Sequence, residues 1–155
     1  MDIHGKINTT CPPEIFLATM RDTGALLRVL PAGAQLTAEK DGALAFSMSK
    51  TFGPIRLTLP GQMSLIATGT GHDQILTARA AHVIGGKVDL DVTFSFERAG
   101  GKTQLAYTGS LTATGVAGRV LRDHHGRVNH VFRSLLLGLK LQAEEAMRPG
   151  NATPL

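Results

Sequence analysis

Tryptophan is absent from this 155-residue chain, tyrosine occurs once (Tyr107) and cysteine once (Cys11). The lone thiol excludes an internal disulfide and fits a reducing compartment. So few rings leave no array on which nucleic-acid bases could stack, and no nucleic-acid partner is expected. No apolar run approaches the roughly 18 residues needed to span a bilayer. The start, Met1-Asp2-Ile3-His4-Gly5, lacks the basic-then-apolar order of a signal sequence. The expectation is a soluble, cytoplasmic protein, or one peripheral on the inner face of the membrane. HExxH, a cysteine pair and GxSxG are also missing. Gly101-Lys102-Thr103 ends like a phosphate loop, but Phe96 stands where the first glycine belongs, and the stretch joins two strands.

What is present reads as one globular domain. Hydrophobic residues make up 43% and charged residues 18%, which is too apolar for a disordered chain. The net charge of +4 permits attraction to anionic lipid or an acidic partner without choosing between them. Residues 2–10 alternate, with Ile3, Ile7 and Thr9 opposite His4, Lys6 and Asn8, and so predict a half-buried strand. Pro12-Pro13-Glu14 opens a short helix to about Met20. Asp22-Thr23 caps a second one, which Pro31 ends near Leu30.

From Ala34 to Ala113 the period changes to two. Asp41-Gly42, Gly53-Pro54, the run from Gly69 to Asp73, Gly85-Gly86 and Gly100-Gly101 punctuate it as turns, and Pro60-Gly61 as a bulge. The clearest strand is 87–98, where Val88, Leu90, Val92, Phe94 and Phe96 face one way. Short connections between successive strands predict an antiparallel meander. The cover is one helix from about Val116 to Met147, some 30 residues and roughly 45 Å long. Ala117, Val120, Leu121, His124, Val128, Val131, Phe132, Leu135 and Leu139 form its apolar stripe, and Arg119, Arg122, His130, Arg133 and Lys140 the opposite one. The domain is read as 1–147, followed by a loose tail, 148–155.

A strand, two short helices, six strands and one long helix is the element order of the helix-grip, START-like (SRPBCC) superfamily. The expected fold is therefore α+β, a seven-stranded curved antiparallel sheet around a long C-terminal helix. Local motifs resemble the CoxG family, an accessory component of carbon monoxide dehydrogenase. They are Leu30-Pro31-Ala32-Gly33, Gly53-Pro54-Ile55, Gly69-Thr70-Gly71, Thr103-Gln104-Leu105-Ala106-Tyr107 and Gly115. The resemblance implies an apolar cavity between sheet and helix, holding a lipid- or quinone-like molecule. It also implies an association with a molybdenum hydroxylase of the carbon monoxide dehydrogenase type.

On that reading the cavity is expected to be lined by Phe46, Met48, Leu57, Met63, Leu65, Val92, Phe94, Tyr107, Leu111, His124, Val128 and Phe132. The leading expectation is a non-catalytic binding module without cofactor. A protein-docking accessory with no ligand is the second, and a polyketide cyclase-like enzyme using Tyr107 and His124 the third. No metal is expected, because His124, His125 and His130 diverge around a helix. Leu137 and Leu141 beside Arg133 and Lys140 suit a membrane or partner surface.

Overall fold

The computed structural model describes residues 1–30, 32–40, 43–52, 54–69, 71–82 and 86–148. Alternation in the first residues gives strand β1 (Asp2–Thr9), with Ile3, Ile7 and Thr9 buried and their neighbours toward water. Helix α1 (Pro13–Arg21) starts on the proline pair and buries Phe16, Leu17 and Met20. Helix α2 (Thr23–Val29) is capped by Asp22, whose Oδ1 accepts from the Gly24 and Ala25 N–H groups at 2.8 and 3.2 Å. Six strands follow: β2 (Ala34–Lys40), β3 (Ala43–Phe52), β4 (Ile55–Ala67), β5 (Gln74–His82), β6 (Gly86–Ala99) and β7 (Lys102–Thr114).

All seven strands form one antiparallel sheet in the order β1-β7-β6-β5-β4-β3-β2. The fold is the α+β architecture expected from the element order. β6 and β7 are joined across Gly100 and Gly101, at φ +60° and +78°. Two positive angles in a two-residue turn match the right-handed twist of the strands, and only glycine takes both without strain. The expected turns at Asp41-Gly42, Gly53 and Gly85 lie outside the described residues.

The bulge expected at Pro60-Gly61 is absent: β3 and β4 pair without a break through Ser47↔Pro60 and Phe46↔Gly61. Proline is tolerated there because β4's pairing with β5 begins only at Gly61↔Ala80, so Pro60 owes no N–H on that side. The register shift falls instead between Leu36 and Glu39 of edge strand β2.

The single long helix expected over 116–147 is two, α3 (Gly115–Asp123) and α4 (His125–Ala146), broken at His124 with φ −121° and ψ 19°. α3 packs on β6 and β7, whereas α4 packs on β1, α1 and α2. One straight rod cannot follow both sets of partners. The α4 segment is still the long C-terminal helix of the fold, 22 residues against the sheet.

Along β1, α4 supplies the partners that a neighbouring strand would otherwise give. Asn129 Oδ1 accepts from the His4 N–H at 3.1 Å, and Arg133 Nη1 donates to the Lys6 carbonyl at 2.8 Å. At the strand's end, Glu144 Oε2 accepts from the Thr9 hydroxyl at 2.9 Å.

Candidate functional site

The sheet has a filled half and a hollow half. Over β1, β6 and β7 the inward side chains Ile3, Ile7, Val92, Phe94, Leu105 and Tyr107 are all nearly inaccessible, closed off by α1 and α4. Over β3, β4 and β5 the inward Leu44, Phe46, Met48, Met63, Leu65, Leu76 and Ala78 are only half-buried. Parity aims them at a core, yet only Leu65 and Leu76 of them pack against it.

The space they leave is a cavity of about 440 Å³, within the usual range for small-molecule sites. β3, β4, β5 and β6 form its floor through Leu44, Met63, Leu65, Leu76, Ala78, Leu90 and Phe94. Met20, at the end of α1, and Leu26, Val29 and Leu30 of the α2 region form one wall; Phe132, Leu135, Leu136 and Leu139 of α4 form the other. At the boundary with the filled half, Phe132 stacks on Phe94 at 6.3 Å between centroids and meets Tyr107 at 5.4 Å.

α2 closes on α4 because Gly138 faces it: a Cβ there would stand 2.7 Å from Val29 Cγ1. Gln142 fastens the same contact, donating to the Ala25 carbonyl at 3.0 Å and accepting from Arg28 at 3.1 Å.

Arg21 and Thr23, either side of Asp22, are the polar side chains of the lining; Ser64 lines it by its backbone, since on β4 it alternates with the inward Met63 and Leu65. Arg21 Nη2 donates to Gln74 Oε1 at 2.9 Å and reaches the carbonyl of Leu65, the residue after Ser64, at 3.5 Å. Gln74 is buried, while Arg21 and Thr23 are exposed. The cavity thus has an apolar body and one wet, polar end.

Of the residues expected to line the cavity, Met63, Leu65, Phe94 and Phe132 do so. Val92 and Tyr107 belong to the filled half, at 1% and 3% exposure, and Leu111 and Val128 pack against that core. Phe46 lies half-buried opposite Gly61, and Met48 opposite Leu59; neither reaches the cavity. The side chain of Leu57 lies outside the described residues. His124 is exposed at the junction of the two C-terminal helices, away from the cavity. It falls out of the apolar stripe because the helical phase breaks there. Among the described residues no three His, Cys, Asp or Glu side chains converge as metal ligands would.

The surface read from Arg133, Leu137, Lys140 and Leu141 also divides. Arg133 is spent on β1, Leu137 packs against the core and Lys140 is half-buried; Leu141 alone stands out, 65% exposed. Among the described residues no helix is long and apolar enough to cross a membrane.

The residues missed in the sequence include the whole wall from α1 and α2, whose inward faces a short helix hardly reveals. Leu44 and Leu90 were within reach, since each shares strand parity with residues read as inward.

No protein-family model matches the sequence, and no curated protein does. Solved structures share the fold. A conserved protein from Geobacillus kaustophilus superposes with a TM-score of 0.77 at 13% identity, over 94% of this chain and 97% of that one. The Zhui aromatase/cyclase from Streptomyces sp. R1128 gives 0.68 at 11% identity, over 99% of both chains. A STAR-related lipid transfer protein fragment from Xanthomonas axonopodis gives 0.61 at 10% identity, over 91% and 84%. At these identities the likeness establishes the helix-grip, START-like fold.

Proposed function

We propose that this chain is a binding module for a hydrophobic small molecule, held between the sheet and α4. The observation that carries the reading is the hollow half of the sheet, with its cavity of about 440 Å³ walled by leucine, methionine, valine and phenylalanine. Fully burying one such side chain is worth about 1.5–3 kcal/mol. A wall of them left half-wet forgoes part of that stabilisation, and an apolar ligand restores it. Met20 and Met63 suit such a lining, since methionine adapts to irregular shapes. The lipid transfer protein that shares the fold supports the same reading.

Ala78→Phe tests it by filling the cavity from its floor. Wild-type protein should bind the neutral dye Nile red with a rise in fluorescence, and extraction of the purified protein should release a hydrophobe. Ala78→Phe should lose the dye by at least tenfold while keeping its far-ultraviolet circular dichroism. Equal dye binding by both proteins would sink the proposal.

A second reading makes the cavity a reaction chamber, and the aromatase/cyclase that shares the fold supports it. Tyr107 and His124 do not serve it, because the first is packed in the core and the second exposed beyond the cavity. Acid–base work would fall to Arg21 and Thr23, where an arginine can polarise a carbonyl but not exchange protons near neutrality. Among the described lining residues there is no carboxylate or imidazole, and that favours binding. An accessory role beside a molybdenum hydroxylase is supported by the sequence motifs alone; retention of such an enzyme in a pull-down tests it.

A further inference from the structure

The polar corner of the cavity carries more than solubility. Among the described residues Arg21 uses only Nη2 on protein partners, and both of those, Gln74 Oε1 and the Leu65 carbonyl, are neutral. Among the described residues no carboxylate pairs with its guanidinium. The adjacent acid, Asp22, is turned to the start of α2, where its Oδ1 is held by Gly24 and Ala25. Nη1 and Nε are thus left without partners among the described residues, at the rim of an otherwise apolar chamber. Gln74, only 4% exposed, anchors the guanidinium by Nη2, so less side-chain entropy is left to lose when a ligand arrives.

A cation with two idle donor nitrogens beside a greasy wall matches a molecule of the complementary kind. We infer that the ligand is an amphiphile with an apolar body and a single carboxylate head, and that Arg21 receives the head while the body enters toward Phe94 and Phe132. The planar fork of arginine suits a carboxylate, which accepts two parallel N–H bonds. Thr23, two residues on, lines the same cavity. This inference rests on the cavity reading above and goes beyond it by naming the ligand's charge and the residue that selects it.

Isothermal titration of the full chain with decanoate and with 1-decanol, both kept below aggregation, separates the two ideas. Decanoate should bind roughly tenfold more tightly than 1-decanol, the size of one charge-assisted bond at a partly wet site. In Arg21→Gln, which can still donate to Gln74, the preference should collapse to less than twofold while 1-decanol still binds. Arg21→Lys should restore part of it. Equal wild-type affinities for the two probes, or a preference that survives R21Q, overturn the inference and leave the cavity reading standing. So does loss of both probes in R21Q, which would make Arg21 a wall support. Wild-type protein that binds neither probe overturns the cavity reading itself, and this inference with it.

Discussion

The single thiol shows how far one side chain's surroundings can set its chemistry. Cys11 is wholly buried where β1 turns into α1, its N–H donating to Thr9 Oγ1 at 3.1 Å. Burial pushes the thiol above its ordinary value, and neighbouring Glu144 adds to the rise, against a lowering by the Thr9 hydrogen bond. A thiol that resists ionisation is a poor nucleophile. Native protein at pH 8 should therefore leave a disulfide reagent unreacted over minutes, and urea-unfolded protein should consume one equivalent. The sign of the pH effect follows from the raised value. Stability from this group is complete while an ordinary thiol stays protonated, and is lost as pH climbs from that range through the raised one, because only the unfolded chain then ionises Cys11. Urea midpoints should fall above about pH 8.5, and fall less in Cys11→Ala. A pH response identical in the two proteins would contradict this.

Elements meet here through gaps as much as through side chains. Gly138 should cost α4 about 1 kcal/mol of helix propensity relative to alanine. Its place is explained by Val29, which a Cβ would crowd at 2.7 Å from Cγ1 and 3.3 Å from Cβ. A β-branched side chain has little rotamer freedom with which to yield. Overpacking of this kind costs about 1–3 kcal/mol, which outweighs the propensity gain. Gly138→Ala should thus lower stability by roughly 1 kcal/mol, and in a Val29→Ala background the same change should stabilise instead. Chemical denaturation of the four proteins measures the coupling; additive effects would contradict the crowding. In the sequence alone Gly138 is no more than a residue that weakens a helix, because its reason lies over a hundred residues away in α2. The strands were more legible. Val88, Leu90, Val92, Phe94 and Phe96 alternate so cleanly with polar neighbours that their common face follows from the sequence alone. The break at His124 was hidden for the opposite reason: the apolar period continues through it, and only the separate docking of α3 and α4 interrupts the helix.

At the scale of the whole molecule, hollowness was the property least visible in the sequence. Leu44 on β3 and Leu105 on β7 read alike as inward leucines, yet the first lines the cavity and the second is wholly buried, because coverage depends on where α1 and α4 come down. A molecule built this way is expected to gain stability on filling. At a ligand concentration a hundred times Kd, binding adds about 2.7 kcal/mol, which for a domain of this size is a rise in Tm of roughly 5–10 °C. Thermal melts across a decanoate series should show that rise in wild-type protein and a much smaller one in Ala78→Phe. Equal shifts in both would place binding outside the cavity. The sheet's two margins also have different prospects in a crowded solution. On β1, Asn129 and Arg133 already occupy the His4 N–H and Lys6 carbonyl, so a second chain finds that margin stoppered and cannot extend the sheet there. Growth into a continuous intermolecular sheet would have to begin at β2, where the shift between Leu36 and Glu39 interrupts the regular ladder that an incoming strand needs. One margin is plugged by the helix and the other is kinked, and together they keep a seven-stranded sheet from becoming the seed of a fibre.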